Sequence, residues 1–169
     1  MSLSNVKTAQ QSIGAKFEWA SATPDEPETG ETLAEKVGEL NFKEMFDVFE
    51  GDRPKLMGNS EKRDTYGGPL YFASSEDIET TEIKMPRKEG ANAGEFDAVQ
   101  TALKDAAAKR DYGTLKISVP ASSGTRSEAF ICQVLSFHEE LEGPTGLQTV
   151  VVRLQGQKLQ GSNEIGIAL

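Results

Sequence analysis

The sequence predicts an α+β fold, mostly β: an antiparallel β-sandwich or partial barrel with one flanking α-helix at about residues 95–110. Three observations carry this reading. Phe96, Val99, Leu103, Ala106 and Ala107 form one apolar stripe at helical spacing. Two β-prone apolar runs, residues 129–135 and 147–154, flank an acidic connection containing Gly143 and Pro144. Shorter alternating runs bounded by Pro or Gly recur elsewhere. Strands, one helix and then three consecutive strands describe a helix laid against an antiparallel sheet.

Taken in order, residues 1–12 read as a polar arm. Residues 15–20 alternate, with Phe17 and Trp19 on one face of a strand. Residues 21–32 are rich in Pro, Gly and acid and read as a surface loop. Residues 36–40 suit a short strand. Residues 42–50 fit two patterns: Phe42, Met45, Phe46 and Phe49 have helical spacing, whereas Phe46 and Val48 share a strand face. Residues 51–68 read as a polar connection, of a length that compact domains reserve for functional or disordered loops. Residues 69–73 suit a short strand, and residues 78–85 a strand closed by Pro86. Asn92 followed by Glu95 has the form of a capping box, and Lys109 and Arg110 suit the C-terminal end of a helix dipole. Gly113 breaks the chain, residues 115–119 form a strand ending at Pro120, and ASSGTRS is a turn. Residues 160–169 are a tail. At 169 residues the chain reads as one domain, large enough to bury roughly 70% of its unfolded surface.

The formal net charge of −9 argues against sequence-independent binding to nucleic acid, which needs cations opposite phosphates. No apolar run approaches the roughly 20 residues of a membrane span, and the N-terminal MSLSNVKTAQQSIGAKFEW has no apolar signal region. One Cys and one His allow no disulfide within these residues and no Cys/His zinc site.

No catalytic set assembles. Any His-based triad would need His138, which reads as a solvated turn residue. Cys132 lies in an apolar run and reads as a packed thiol. Glu139, Glu140 and Glu142 match no EF-hand spacing. GDRPKLMGNSEKR lacks the phosphate-loop pattern. Gly90 and Gly94 precede the helix, but Glu89 and Glu95 would oppose an anion there. The expectation is a protein that is not an enzyme and needs no cofactor or metal.

In order and spacing the chain resembles the major tail tube proteins of long-tailed bacteriophages. The resemblance lies in the Pro-closed strand at 78–86, the helix at 95–110, and then YGTLKISVP, RSEAFICQVLSFHEEL and LQTVVVRLQGQKLQ. The early strands and the long segment after Gly51 extend it over nearly the whole chain. It implies a ring-forming tail tube fold. Hexameric rings would join their inner sheets into one barrel and stack into a conduit for genome delivery. It also implies a virion tail assembled in the host cytoplasm, a non-contractile one because nothing points to a sheath contact. The implied partners are other copies of this chain, tape measure and tail terminator or tip proteins, and DNA that passes without specific binding.

Within that reading, Glu39, Glu79, Glu82, Glu139 and Glu142 are candidate lumen-facing acids. Arg53, Lys55, Leu56, Met57, Lys62 and Arg63 are candidates for an inter-ring contact loop. The competing class is a ligand- or carbohydrate-binding β-sandwich, which would ordinarily offer an aromatic platform where this chain has one Trp. A Ser/His138 hydrolase is the third.

Overall fold

A computed structural model describes residues 14–169 apart from 142, 145, 161 and 163. The side chains of 57–63 and 70–77 also lie outside the description. The elements are β1 (Lys16–Ala20), α1 (Leu33–Gly38), β2 (Lys43–Met45), β3 (Lys55–Thr65), β4 (Gly68–Pro86), α2 (Ala98–Lys109), β5 (Tyr112–Ala121), β6 (Gly124–Leu141), β7 (Gln148–Gly156) and β8 (Gly166–Ala168). The strands form one antiparallel sheet in the order β2-β1-β5-β6-β7-β4-β3, with β8 added to β6. The expected fold class is observed, with a second, short helix.

The sheet curls until its two ends approach each other. Beyond β2 the chain meets the edge of β4 through a single bridge, Glu50 to Lys84, with both backbone bonds made. It does not close into a barrel. Inside the curl lies the main core, where Phe17, Trp19, Met45, Leu115 and Ile117 from one half face Ile83, Met85, Val150, Val152 and Leu154 from the other. Helix α2 plugs the remaining opening with Val99, Leu103 and Ala106, three members of the stripe seen in the sequence. Buried Gln100 ties the first turn of α2 to the end of β4. Its Nε2 donates to the Pro86 carbonyl and its Oε1 accepts from Lys88 N–H.

Several expectations are corrected. Residues 36–40 are not a strand. Thr32 Oγ1 accepts from Glu35 N–H and Glu35 returns the bond to Thr32 N–H, so a complete capping box starts α1 there. That helix packs Val37 on Ala129 and Ile167, covering the outer side of β6 and β8. In the 42–50 segment only β2 is regular, and Asp47 at φ 58° turns the chain away from a helix. Residues 51–68 are not a loop but the first strand and turn of a long hairpin, β3–β4. The two expected strands at 69–73 and 78–85 are parts of the single strand β4.

Helix α2 starts at Ala98, where the Asp97 side chain accepts from Gln100 N–H. The Asn92–Glu95 contact exists but precedes the helix. Pro120 does not stop β5, because it sits exposed opposite Thr125, beside the turn into β6. Strand β6 runs on to Leu141, so His138, Glu139 and Glu140 belong to the sheet rather than to its connection. The tail contributes β8. The N-terminal arm expected at 1–12 lies outside the described residues.

Candidate functional site: an open sheet face and a projecting hairpin

Directly paired residues on antiparallel neighbours point to the same side of a sheet. The ladders therefore define two faces for β4, β7 and β6. Ile83, Val152 and Phe137 form one inner row. The outer rows are Glu82–Arg153–Ser136, Lys84–Val151–His138 and Pro86–Thr149–Glu140, with Thr80–Gln155–Gln133 at the edge. An irregularity between Val134 and Ser136 keeps both halves of β6 in phase with this face. Helix α1 covers the outer side over β8 and the first half of β6. On the second half Thr80, Glu82, Arg153, His138 and Glu140 are exposed.

The face is polar and its charges are matched. Arg153 Nε lies 3.7 Å from Glu82 Oε1, and Arg153 Nη2 donates to Thr80 Oγ1. The Lys84 ammonium lies 3.4 Å from Glu50. The bond to Glu50 holds it above the ordinary lysine value, and the charges of Glu140 and Glu82 add to that. His138 Nε2 is 3.2 Å from Glu140 Oε1. Beneath them Thr149 and Val151 are each 1% exposed, although neither belongs to the core clusters. Their cross-strand neighbours are the long side chains of Lys84, His138 and Glu140, whose stems can lie over a small apolar floor while their charges stay in water.

The candidate acids scatter. Glu82 is on the open face. Glu139 is opposite Val150 on the inner side, where Arg87 Nε donates to it at 2.8 Å and the Arg87 guanidinium stacks over Phe96. Glu79 stands opposite Lys55 at the root of the hairpin and helps hold the Lys55 amine above its usual value, after Asp52. Glu39 caps the end of α1 at 3.6 Å from Lys36. Glu142 lies outside the described residues. Each described candidate thus has a cation beside it.

Sequence reasoning missed Lys84, Arg153, His138 and Glu140 as members of one face. In Val150-Val151-Val152 apolar residues occupy both faces, so alternation could not say which side is core.

The contact-loop candidates fall on the hairpin. Arg53 and Lys55 stand at its root and Leu56 packs against the core. Met57, Lys62 and Arg63 are on β3, with side chains outside the description. The tip is Tyr66, fully exposed. Besides the short outer edges of β2 and β8, the backbone edges without a partner strand among the described residues are both edges of the hairpin, namely β3 and the Gly68–Glu79 part of β4, and the β5 side of β6 beyond Val134.

No group of three or more His, Cys, Asp or Glu side chains among the described residues is disposed to hold a metal. No helix among the described residues is long and apolar enough to cross a membrane. Burial pushes the Cys132 thiol up to about 12. A native-state value above the unfolded 9.0 contributes stability that is full below pH 9 and is lost as pH rises towards 12. At pH 8 a thiol reagent is expected to leave Cys132 unmodified in the native chain and to modify it once denaturant unfolds the chain. Prompt labelling under native conditions would contradict the packed-thiol reading.

No family model matches the chain, and no curated protein matches it. Among solved structures it is similar to a chain of the six-fold symmetrised cryo-EM structure of the anti-feeding prophage baseplate. That likeness covers 92% of this chain and 90% of that one, at 9% identity and a TM-score of 0.56. At so low an identity the two share a fold.

Proposed function

We propose that this chain is a structural subunit of a phage-tail-like assembly, without catalytic activity. Copies form six-fold rings that stack into a tube, with the open face of β4, β7 and β6 as the inner wall. The observation that carries this reading is the polar, charge-matched sheet face flanked by unpaired strand edges. Exposed edges invite uncontrolled pairing. A head-to-tail contact whose rotation closes uses them up in a ring, with the free edge of β6 in one copy joining the hairpin of the next. The fold likeness to a chain from a six-fold tail-related assembly supports the same reading. Because that chain belongs to a baseplate, a place in the ring at the tube's end is the second reading. Purified chain that grows into long tubes favours the tube, and single rings favour the end. The non-contractile tail, the tape measure and terminator partners and assembly in the host cytoplasm rest on the sequence resemblance.

The wall assignment has its own test. A surface on which every carboxylate has a nearby cation offers phosphates no run of free positive charge, so DNA slides past it. Glu82→Lys with Glu140→Lys converts each subunit's wall to net positive, and the ring repeats that change around the lumen. The cost in stability is about 1 kcal/mol or less, as for exposed pairs. Particles carrying the double variant are expected to release DNA more slowly at low salt and to recover at high salt, because phosphate contacts are salt-dependent. Normal release at both salts removes this face from the lumen.

A further inference from the structure

The long strand β4 serves two ladders that never overlap. It pairs with β3 from Gly68 to Glu79 and with β7 from Thr80 onward. At the changeover Glu79 and Thr80 are therefore each held on one side only, the bridge from Glu50 reaching β4 further on, at Lys84, and the hairpin joins the body through the Glu79–Thr80 peptide and the incoming segment 52–54. Both flanks of this neck are hollow. One cleft of about 380 Å³ separates Gly51 and Asp52 from Glu79–Glu82. Another of about 480 Å³ separates Pro54–Leu56 from β8.

Two kinds of contact cross the neck. Pro54, Leu56 and Ile78 are apolar: Pro54 fills the space above Gly156, and Leu56 and Ile78 rest on the end of the core. Such contacts have no preferred direction and permit sliding. The second is directional. Arg53 Nη1 donates to both carboxylate oxygens of Glu128 at 3.1 Å. Glu128 is anchored, since β6 is paired there with Ile117 of β5 on one side and Ala168 of β8 on the other. The Asp52–Lys55 pair lies within the hairpin's own base and holds nothing across the gap.

We propose that residues 52–54 and 79–80 form a hinge and that the Arg53–Glu128 pair is the clasp that sets the angle of the hairpin arm. Both partners are partly exposed, so salt weakens the clasp and the arm's angle becomes a function of ionic strength. This goes beyond the tube reading and does not depend on it, since the clasp is made within one copy.

The test uses dilute full-length chain carrying spin labels at Tyr66→Cys, on the arm tip, and Ser122→Cys, in the turn between β5 and β6. Buried Cys132 stays unlabelled. Double electron–electron resonance on the otherwise native chain at low salt is expected to show one narrow distance distribution. Glu128→Gln should broaden or shift it, and the charge swap Arg53→Glu with Glu128→Arg should restore it. Salt at 1 M, where the Debye length is about 3 Å, should broaden the native distribution as Glu128→Gln does. A broad distribution at low salt, no change in Glu128→Gln, or a swap that fails to restore it overturns the clasp. If Glu128→Gln does not fold, the salt series decides alone, and insensitivity to salt overturns the proposal. Because the measurement needs no assembly, its outcome is separate from whether tubes form.

Discussion

A chain in which residues 57–77 are replaced by Asn-Gly is expected to fold and to form no tubes. Among the described side chains, Leu56 and Ile78 are the outermost cross-strand pair of the hairpin that rests on the core. Asn-Gly is a natural two-residue turn between such a pair. The backbone of the excised ribbon pairs with no strand outside the hairpin, and among the described residues every buried core residue lies outside it. The thermal midpoint should therefore move little, while electron microscopy of concentrated protein should show no stacked rings. Cutting from Arg53 instead would also remove the clasp and Pro54, and would confuse a lost contact with a damaged neck. Tubes formed by the shortened chain would show that the arm is needed neither to join β6 of the next copy within a ring nor to stack the rings.

Gly113→Ala should produce the largest loss of stability of any single methyl addition. Gly113 has an ordinary strand backbone, so its need for glycine is spatial. A Cβ there would stand 2.3 Å from the Trp19 ring and 2.6 Å from the Ala20 carbonyl oxygen. Trp19 is 1% exposed and Ala20 belongs to β1, which is paired to β5 itself. Neither a rigid ring nor a paired backbone can yield. Overpacking costs about 1–3 kcal/mol, and a contact this short against atoms that cannot yield belongs at the upper end, a large share of a typical domain's roughly 5–15. The single Trp reports the change directly, as a lower urea midpoint followed by its fluorescence. A midpoint within error of the native chain would mean that β1 can move aside.

How much of this was legible depends on where each residue's partner lies. The stripe of Val99, Leu103, Ala106 and Ala107 could be read because a helix repeats its pattern within its own length, and these residues pack on the core from α2, whereas Phe96 reaches it from just ahead of the helix. Strand β1 was readable for a similar reason, since it has one apolar row, and β7 was readable as a β-prone apolar run although its two faces could not be told apart. The hairpin arm was not, because its sequence carries no alternation of apolar and polar residues. Helix α1 was missed although Thr32 and Glu35 announce it, because a helix so short has no room for a stripe and Val37 alone is buried on it. The open face failed differently. Its members are opposed across three strands, and register, unlike periodicity, is not written in any one of them. The acid in the last hairpin was visible, but not that Glu139 turns inward to Arg87 while Glu140 turns outward.

Strand β6 has a consequence for how the chain is made. Among the described strands it alone has three partners, β5, β7 and β8, and its links to β5 and β7 are close neighbours in sequence. The rest of the sheet is remote: β1 waits for β5, with Lys16 opposite Ser118, and β4 waits for β7, with Thr80 opposite Gln155. Such pairings must first pay for long loops, so they form late and slowly. During synthesis the arm emerges well before β7, the strand that roots it. A growing chain can therefore zip its most adhesive ribbon while having no body from which to present it. Refolding should begin in the β5–β6–β7 meander, and a nascent chain released short of Gly156 should lack the β4 anchor and be kept from self-association only by its charge.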